Sequence, residues 1–154
     1  MTDVVLLEVA DRVATITLNR PEARNALSRA VQRRLPELVA EAEGRDDVDV
    51  MILTGADPAF CAGLDLKELG AGTAPPPIGG AFGRPFPPHR KPLIGAINGV
   101  AITGGLELAL NCDFLVASER AKFGDTHSRV GVQPGWGLTV LCCRRPSACD
   151  APGR

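Results

Sequence analysis

Two glycine-containing segments hold residue types able to handle negative charge and a proton. The first is FCAGLDLKEL, residues 60–69. Asp65 is a helix-capping type, and Glu68 three residues later completes the pattern of a capping box. A helix starting there leaves the amides around Gly63 and Leu64 without helical partners, and such N–H groups attract anions. The same residues also read as an ordinary glycine turn before a capped helix. The second segment is NGVAITGGLELA, residues 98–109. A strand runs into Asn98-Gly99, and Gly104-Gly105 opens a helix with Glu107 in its first turn. Glycine lets backbone N–H groups approach a ligand closely, and the helix dipole adds partial positive charge. Glu107 is then either a proton-transfer group or a charge that complements that dipole. No Gly-Lys-Ser/Thr follows, as in a phosphate loop, and no Gly-x-Ser-x-Gly marks a nucleophile elbow.

The elements around these segments are legible from periodicity. Residues 4–8 and Val13–Leu18 read as short strands, with Asp11-Arg12 as a tight connection. Pro21 ends the second strand, since it cannot donate to a ladder. Ser28 caps a helix running to about residue 43. Val31, Leu35, Leu38, Val39 and Ala42 form its apolar stripe, Pro36 should kink or split it, and Gly44 stops it. The apolar run 48–53 suggests a strand covered on both faces. Residues 70–92 are rich in Gly and Pro and read as a linker or as a flap over a site. Leu93–Ile97 resumes a strand, 104–111 is a helix and 114–117 another strand. Strand, strand, helix, repeated, predicts an α/β fold of ββα units.

Composition narrows the function classes. The chain has 154 residues, 45% hydrophobic, with Lys+Arg 17 against Asp+Glu 18. That balance carries no basic excess to attract nucleic acid. No apolar run approaches the ~18 residues of a membrane span, and the start lacks the basic leader of a signal peptide. The expected location is the cytoplasm. The five cysteines show no zinc-type spacing, so no metal is expected, and the odd count favours reduced thiols.

Four stretches together resemble the crotonase (enoyl-CoA hydratase/isomerase) family: NRPEARNAL (19–27), FCAGLDLKEL (60–69), KPLIGAINGVAITGGLELALNCD (91–113) and FGDTHSRVGVQPGWG (123–137). The resemblance implies a ββα spiral and an acyl-CoA thioester as substrate and partner, with no cofactor beyond the CoA that the substrate carries. It places the oxyanion-hole N–H groups at Leu64 and Gly104. It puts Ala62, Leu64, Asp65, Leu66, Lys67 and Gly104 along the CoA-thioester site and Arg24 near the CoA moiety. Hydratases of the family use two glutamates to position water for addition across a C2=C3 bond. The first matches Glu107, and His127 stands at the position of the second. His127 reads either as a base, since histidine titrates near neutrality, or as a hydrogen-bonded histidine without a catalytic part. Asp125 is a further candidate acid, and His89 is expected to be solvated. The implied reaction is hydration of an enoyl-CoA. Isomerisation, thioester hydrolysis and a non-catalytic product that retains acyl-CoA binding stand as alternatives. Homotrimers or hexamers are implied for the full-length family.

The resemblance covers residues 1–141, an acyl-CoA-binding core expected to be incomplete. Residues 142–154, CCRRPSACDAPGR, are expected to lie outside the family pattern and to replace its C-terminal helical region. A single-base slip after Leu141 accounts for them. A message can be written that encodes Leu-Leu-Pro-Gln-Ala-Ile-Gly-Val-Arg-Arg-Ala-Arg-Glu-Met. Loss of one base turns it into Cys142 to Arg154 and a stop.

Overall fold

The computed structural model describes residues 3–71 and 83–144. Strands β1 (Val5–Ala10) and β2 (Val13–Leu18) form an antiparallel hairpin, paired from Val5↔Leu18 to Ala10↔Val13. Asp11 and Arg12 turn it with φ of 49° and 65°, the two-residue geometry that matches strand twist. Ala14, Ile16 and Leu18 are buried and alternate with half-buried Val13, Thr15 and Thr17, as the sequence predicts.

After a 3-10 turn (Pro21–Ala23), helix α1 spans Arg29–Gly44. The Val31 N–H donates to the Ser28 hydroxyl at 3.3 Å, the predicted cap. Val31, Leu35, Leu38, Val39 and Ala42 are all buried. Each leucine or valine of this stripe contributes about 1.5–3 kcal/mol relative to exposure. Of the two expected effects of Pro36, the split does not occur: it lies inside one continuous helix. Proline removes one donor, the N–H owed to the Gln32 carbonyl, and the buried stripe carries the helix across it.

Three turns of a spiral follow, each giving one strand to each of two sheets. The first turn comprises β3 (Val50–Gly55), β4 (Ala59–Cys61) and α2 (Leu66–Gly70). The second comprises β5 (Leu93–Ile97), β6 (Val100–Ile102) and α3 (Gly104–Leu110). The third comprises β7 (Phe114–Ala117), β8 (Lys122–Gly124) and α4 (His127–Val130), and α5 (Leu138–Arg144) closes the described chain. The large sheet has the order β1-β2-β3-β5-β7 and the small sheet β4-β6-β8. Every pairing after the hairpin is parallel. This is the expected ββα spiral.

The core lies between the sheets and α1, around Ile16, Leu18, Leu35, Met51, Leu53, Phe60, Leu93, Ile97 and Leu108. β3 departs from the expected doubly covered strand: Met51 and Leu53 are buried, while Val50 and Ile52 are half-buried. One face packs on the core, and the other is half-buried. β7, an edge strand, exposes Phe114 and Val116.

Of the Gly/Pro-rich stretch, residues 72–82 lie outside the described residues, so the flap reading finds no structural description. His89, expected in solvent, is instead largely covered, its side chain 10% exposed. Its ring meets Phe86 edge-on, and Nε2 lies 3.9 Å from Asp113. The thiols also differ from expectation. Cys61 and Cys112 are buried and outside any disulfide, but Cys142 is disulfide-bonded. Residues 145–154 of the tail lie outside the described residues.

Candidate functional site

Leu64, Gly104 and His127 follow the C-terminal ends of β4, β6 and β8, the three neighbouring parallel strands of the small sheet. The crevice beyond the carboxyl ends of parallel strands is the usual ligand position in such architectures.

Main chain packed on main chain sets the first two. Leu27 forms a parallel bridge with Leu64. In it the Leu27 N–H donates to Gly63 O (2.8 Å) and the Asp65 N–H to Leu27 O (3.3 Å). A parallel bridge uses the amides on either side of the bridged residue. The Leu64 N–H accordingly points away and has no partner among the described residues. Gly63, at φ 90°, lies against the next turn, and a Cβ there would meet Ile102 O at 2.9 Å and Thr103 Cβ at 3.1 Å. This close approach brings Leu64 beside Gly104, whose N–H likewise has no partner among the described residues. A Cβ at Gly105 would collide with Cys61 O, so α3 also packs backbone to backbone. Thr103 turns the chain into α3 at φ 55° and ψ −116°, a strained conformation for a β-branched residue. Two contacts to the third turn hold it: its N–H donates to Gly124 O (2.9 Å), and its hydroxyl meets that of Thr126 (2.7 Å).

Side chains build the opposite wall. Glu107 and His127 are each 3% exposed. Glu107 Oε1 accepts the Trp136 N–H at 2.7 Å and the Leu138 N–H at 3.3 Å. Its other oxygen, Oε2, lies 3.5 Å from His127 Nε2. On the far side of the ring, Nδ1 lies 2.6 Å from Asp125 Oδ1, which also accepts the His127 N–H at 3.0 Å. That N–H holds the Asp125 pKa below its ordinary value against desolvation, and the His127 ring adds to the effect. A ring that donates Nδ1–H to an ionised Asp125 presents its Nε2 to Glu107.

Leu64, Asp65, Gly104, Glu107 and His127 line one cavity of about 410 Å³. Leu27, Leu69, Val132 and Trp136 supply its apolar wall. Arg24, Leu66 and Lys67 lie instead along an adjoining surface groove, which shares Asp65 with the cavity. Ala62 lines neither, and its N–H donates to Arg24 O at 3.0 Å. Asp65 caps α2 as predicted, accepting from the Lys67 (3.1 Å) and Glu68 (3.4 Å) amides. Burial pushes its pKa up, but Arg20 at 3.0 Å and those two amides outweigh it and hold it low. The capping box is not the one expected. Glu68 Oε2 accepts the Arg29 N–H at 2.8 Å, tying α2 to the start of α1. The Asp65 N–H is already used by Leu27 O, which leaves Glu68 no donor to reach back to. Burial pushes the Cys61 thiol up to about 12, so it takes no part as a thiolate.

Sequence reasoning did not single out Trp136 or Gln32. Trp136 anchors Glu107 through its N–H, while its carbonyl accepts from Asn111 at 2.9 Å. Main-chain roles of this kind leave no mark in residue type. Gln32 lines the cavity, and its signal was its position: it shares the apolar face of α1 with Leu35 and Val39.

Comparison with known proteins agrees with this geometry. The family described as enoyl-CoA hydratase/isomerase matches residues 8–147. The chain belongs to the enoyl-CoA hydratase/isomerase family. A probable peroxisomal enoyl-CoA hydratase 1 of Arabidopsis thaliana is 45% identical over 135 residues, covering 86% of this chain and 51% of that protein. An (E)-benzylidenesuccinyl-CoA hydratase of Thauera aromatica is 43% identical over 141 residues, covering 85% of this chain and 53% of that protein. The crystal structure of an enoyl-CoA hydratase from Mycobacterium tuberculosis H37Rv superposes with a TM-score of 0.82 at 55% identity. It covers 92% of this chain and 59% of its own. The chain thus spans about half the length of the curated relatives it matches. As in those family members, the architecture is α/β with a ββα spiral.

Proposed function

We propose that this cavity hydrates the C2=C3 double bond of an enoyl-CoA thioester. The observation that carries the reading is the Glu107–His127 pair, 3.5 Å apart and buried, sharing one cavity with the Leu64 and Gly104 amides. The thioester oxygen accepts both amide N–H groups, and the nucleotide end of CoA runs past Lys67 and Arg24 along the groove. Polarisation draws electron density towards that oxygen and leaves C3 electrophilic. Each such donor contributes about 3–4 kcal/mol to the barrier.

Glu107 Oε2 and His127 Nε2 are both acceptors when Asp125 holds the Nδ1 proton. A water at their apex donates to both and turns a lone pair towards C3. As its oxygen bonds to C3, the proton passes to the Glu107–His127 pair and the π electrons move to an enolate held by the two amides. The pair then returns one proton to C2, which leaves a 3-hydroxyacyl-CoA and the pair in its starting state. The reaction is balanced by water alone and calls for no cofactor beyond the substrate's CoA.

Loss of enoyl absorbance with a short 2-enoyl-CoA tests the reading. Appearance of free thiol instead would assign the pair to thioester hydrolysis, with His127 as base. A double bond that moves without water uptake would assign isomerisation. The reading also places the protein in the cytoplasm. No described helix is long and apolar enough to cross a membrane. For the full-length family a homotrimer or hexamer is proposed; this chain exposes the apolar side chains of Phe114, Val116 and Phe123, and light scattering after size exclusion measures its own state.

A further inference from the structure

Thr103 is 5% exposed and holds φ 55° and ψ −116°, the one β-branched residue with a positive φ among the described residues. Glycine would take that conformation without strain. A threonine kept there points to work done by its side chain. Its hydroxyl lies 2.7 Å from that of Thr126. The two residues hold the same kind of position. Thr103 is the N-cap of α3 and Thr126 the N-cap of α4. A threonine so placed ordinarily accepts from an amide in the first turn of its own helix. Neither does: no side-chain cap bond forms at either helix, and each hydroxyl is turned to the other one instead. The residues directly after the two caps are Gly104 and His127. The ladder between β6 and β8 ends at Ile102↔Gly124, and the Thr103 N–H still reaches Gly124 O at 2.9 Å. Past that bond the sheet has ended, and the hydroxyl pair carries the connection on to the residue before His127.

We propose that Thr103 and Thr126 are positioning residues, a clamp that holds the start of α4 against the start of α3 and so sets the His127 ring relative to the Gly104 amide. The inference rests on the reading of the cavity as an enoyl-CoA hydration site. Neither threonine lines the cavity, so both act through the residues that follow them. The close approaches at Gly63 and Gly105 hold the amide wall without the clamp. Asp125 and Glu107 orient the ring, and the clamp fixes the backbone from which it hangs. A displacement of about 1 Å at such a group costs about 10²-fold in rate. Thioester binding, which uses the amides and the groove, does not depend on it.

Steady-state hydration of a short 2-enoyl-CoA by the whole chain, well below each variant's melting temperature, tests the clamp apart from stability. Thr103→Val and Thr126→Val each keep the branched shape and remove one hydroxyl. In either, kcat is expected to fall about ten- to hundredfold with KM unchanged. The double variant should be no slower than the slower single one, because its second change removes a bond already lost. Thr103→Ser and Thr126→Ser return the hydroxyl and should recover most of the turnover. A merely structural pair predicts lower melting temperatures with kcat retained, and that result overturns the inference. Losses that add in the double variant, a loss carried by KM instead of kcat, or serine variants as slow as the valine ones also overturn it. If Thr103→Val does not fold, Thr126→Val decides, since Thr126 sits at an ordinary φ of −124°. An active wild type with unchanged valine variants overturns the clamp alone. A wild type that does not hydrate overturns the reading of the site and this inference with it.

Discussion

Leu64 and Gly104 owe their positions to main chain packed against main chain, whereas Glu107 and His127 owe theirs to side-chain hydrogen bonds. The amide wall presents the Leu64 N–H and admits no Cβ at Gly63 or Gly105. The opposite wall depends on the chemical type of each group, since its contacts run through the Glu107 and Asp125 carboxylates and the His127 ring. Under the proposed function, polarisation would be a property of the fold, and the fate of the polarised substrate a property of three side chains.

That contrast can be broken at either wall. Glu107→Gln keeps the shape and removes proton transfer, so hydration should fall by about 10²–10⁴-fold with thioester affinity unchanged. Absorbance decay together with calorimetry separates the two quantities. Turnover like the wild type's would remove Glu107 from the mechanism. Gly63→Ala attacks the other wall. Its methyl meets Ile102 O and Thr103 at φ 90°, which parts the two amides. Hydration should fall by about 10²–10³-fold, with weaker thioester binding and a lower melting temperature. A variant that keeps full affinity would show that the amides are not held by this contact.

Asp125→Asn sharpens the comparison at its edge. It removes a charge-assisted hydrogen bond to the His127 ring, and kcat should fall by about 10–100-fold while KM stays. The pH dependence has a definite sign. Asp125 is depressed below the ordinary 3.8, so its contribution is present above that value and is lost as pH falls through the folded one. The melting-temperature gap between wild type and Asp125→Asn should be full at pH 7 and close below 3.8. A gap independent of pH would mean that the contact acts by shape and not by charge. The smallest effect is expected from Cys61, whose thiol should stay unmodified by a thiol reagent in the native state. Rapid labelling without unfolding would contradict its burial.

The sequence disclosed the amide wall better than the side-chain wall. Gly63, Gly104 and Gly105 announce close backbone approach by residue type, and the stripe on α1 announces which face is buried. The strands Ala59–Cys61, Val100–Ile102 and Lys122–Gly124 are three residues each, too short to show a period. Their sheet emerges only when the spiral stacks them. Glu107 was legible by its place after the glycine pair, but the amides of Trp136 and Leu138 that aim it come from 29 and 31 residues away. Glu68 matched a local pattern and was drawn to a distant partner, because tertiary packing had already taken the local donor. His89 and Pro36 show the same override, with packing deciding against the default for the residue type.

Parallel strands stand about 4.7–4.9 Å apart, and β4, β6 and β8 present their stations in that order. The small sheet is therefore a ruler, graduated by peptide hydrogen bonds, that spaces the Leu64, Gly104 and His127 stations of the cavity. Side-chain substitution cannot rescale it. It can change only what waits at the last graduation, where this chain carries Asp125 and His127. If the proposed function holds, a new reaction can thus be written into one turn of the spiral while the amides of the other two stay in place.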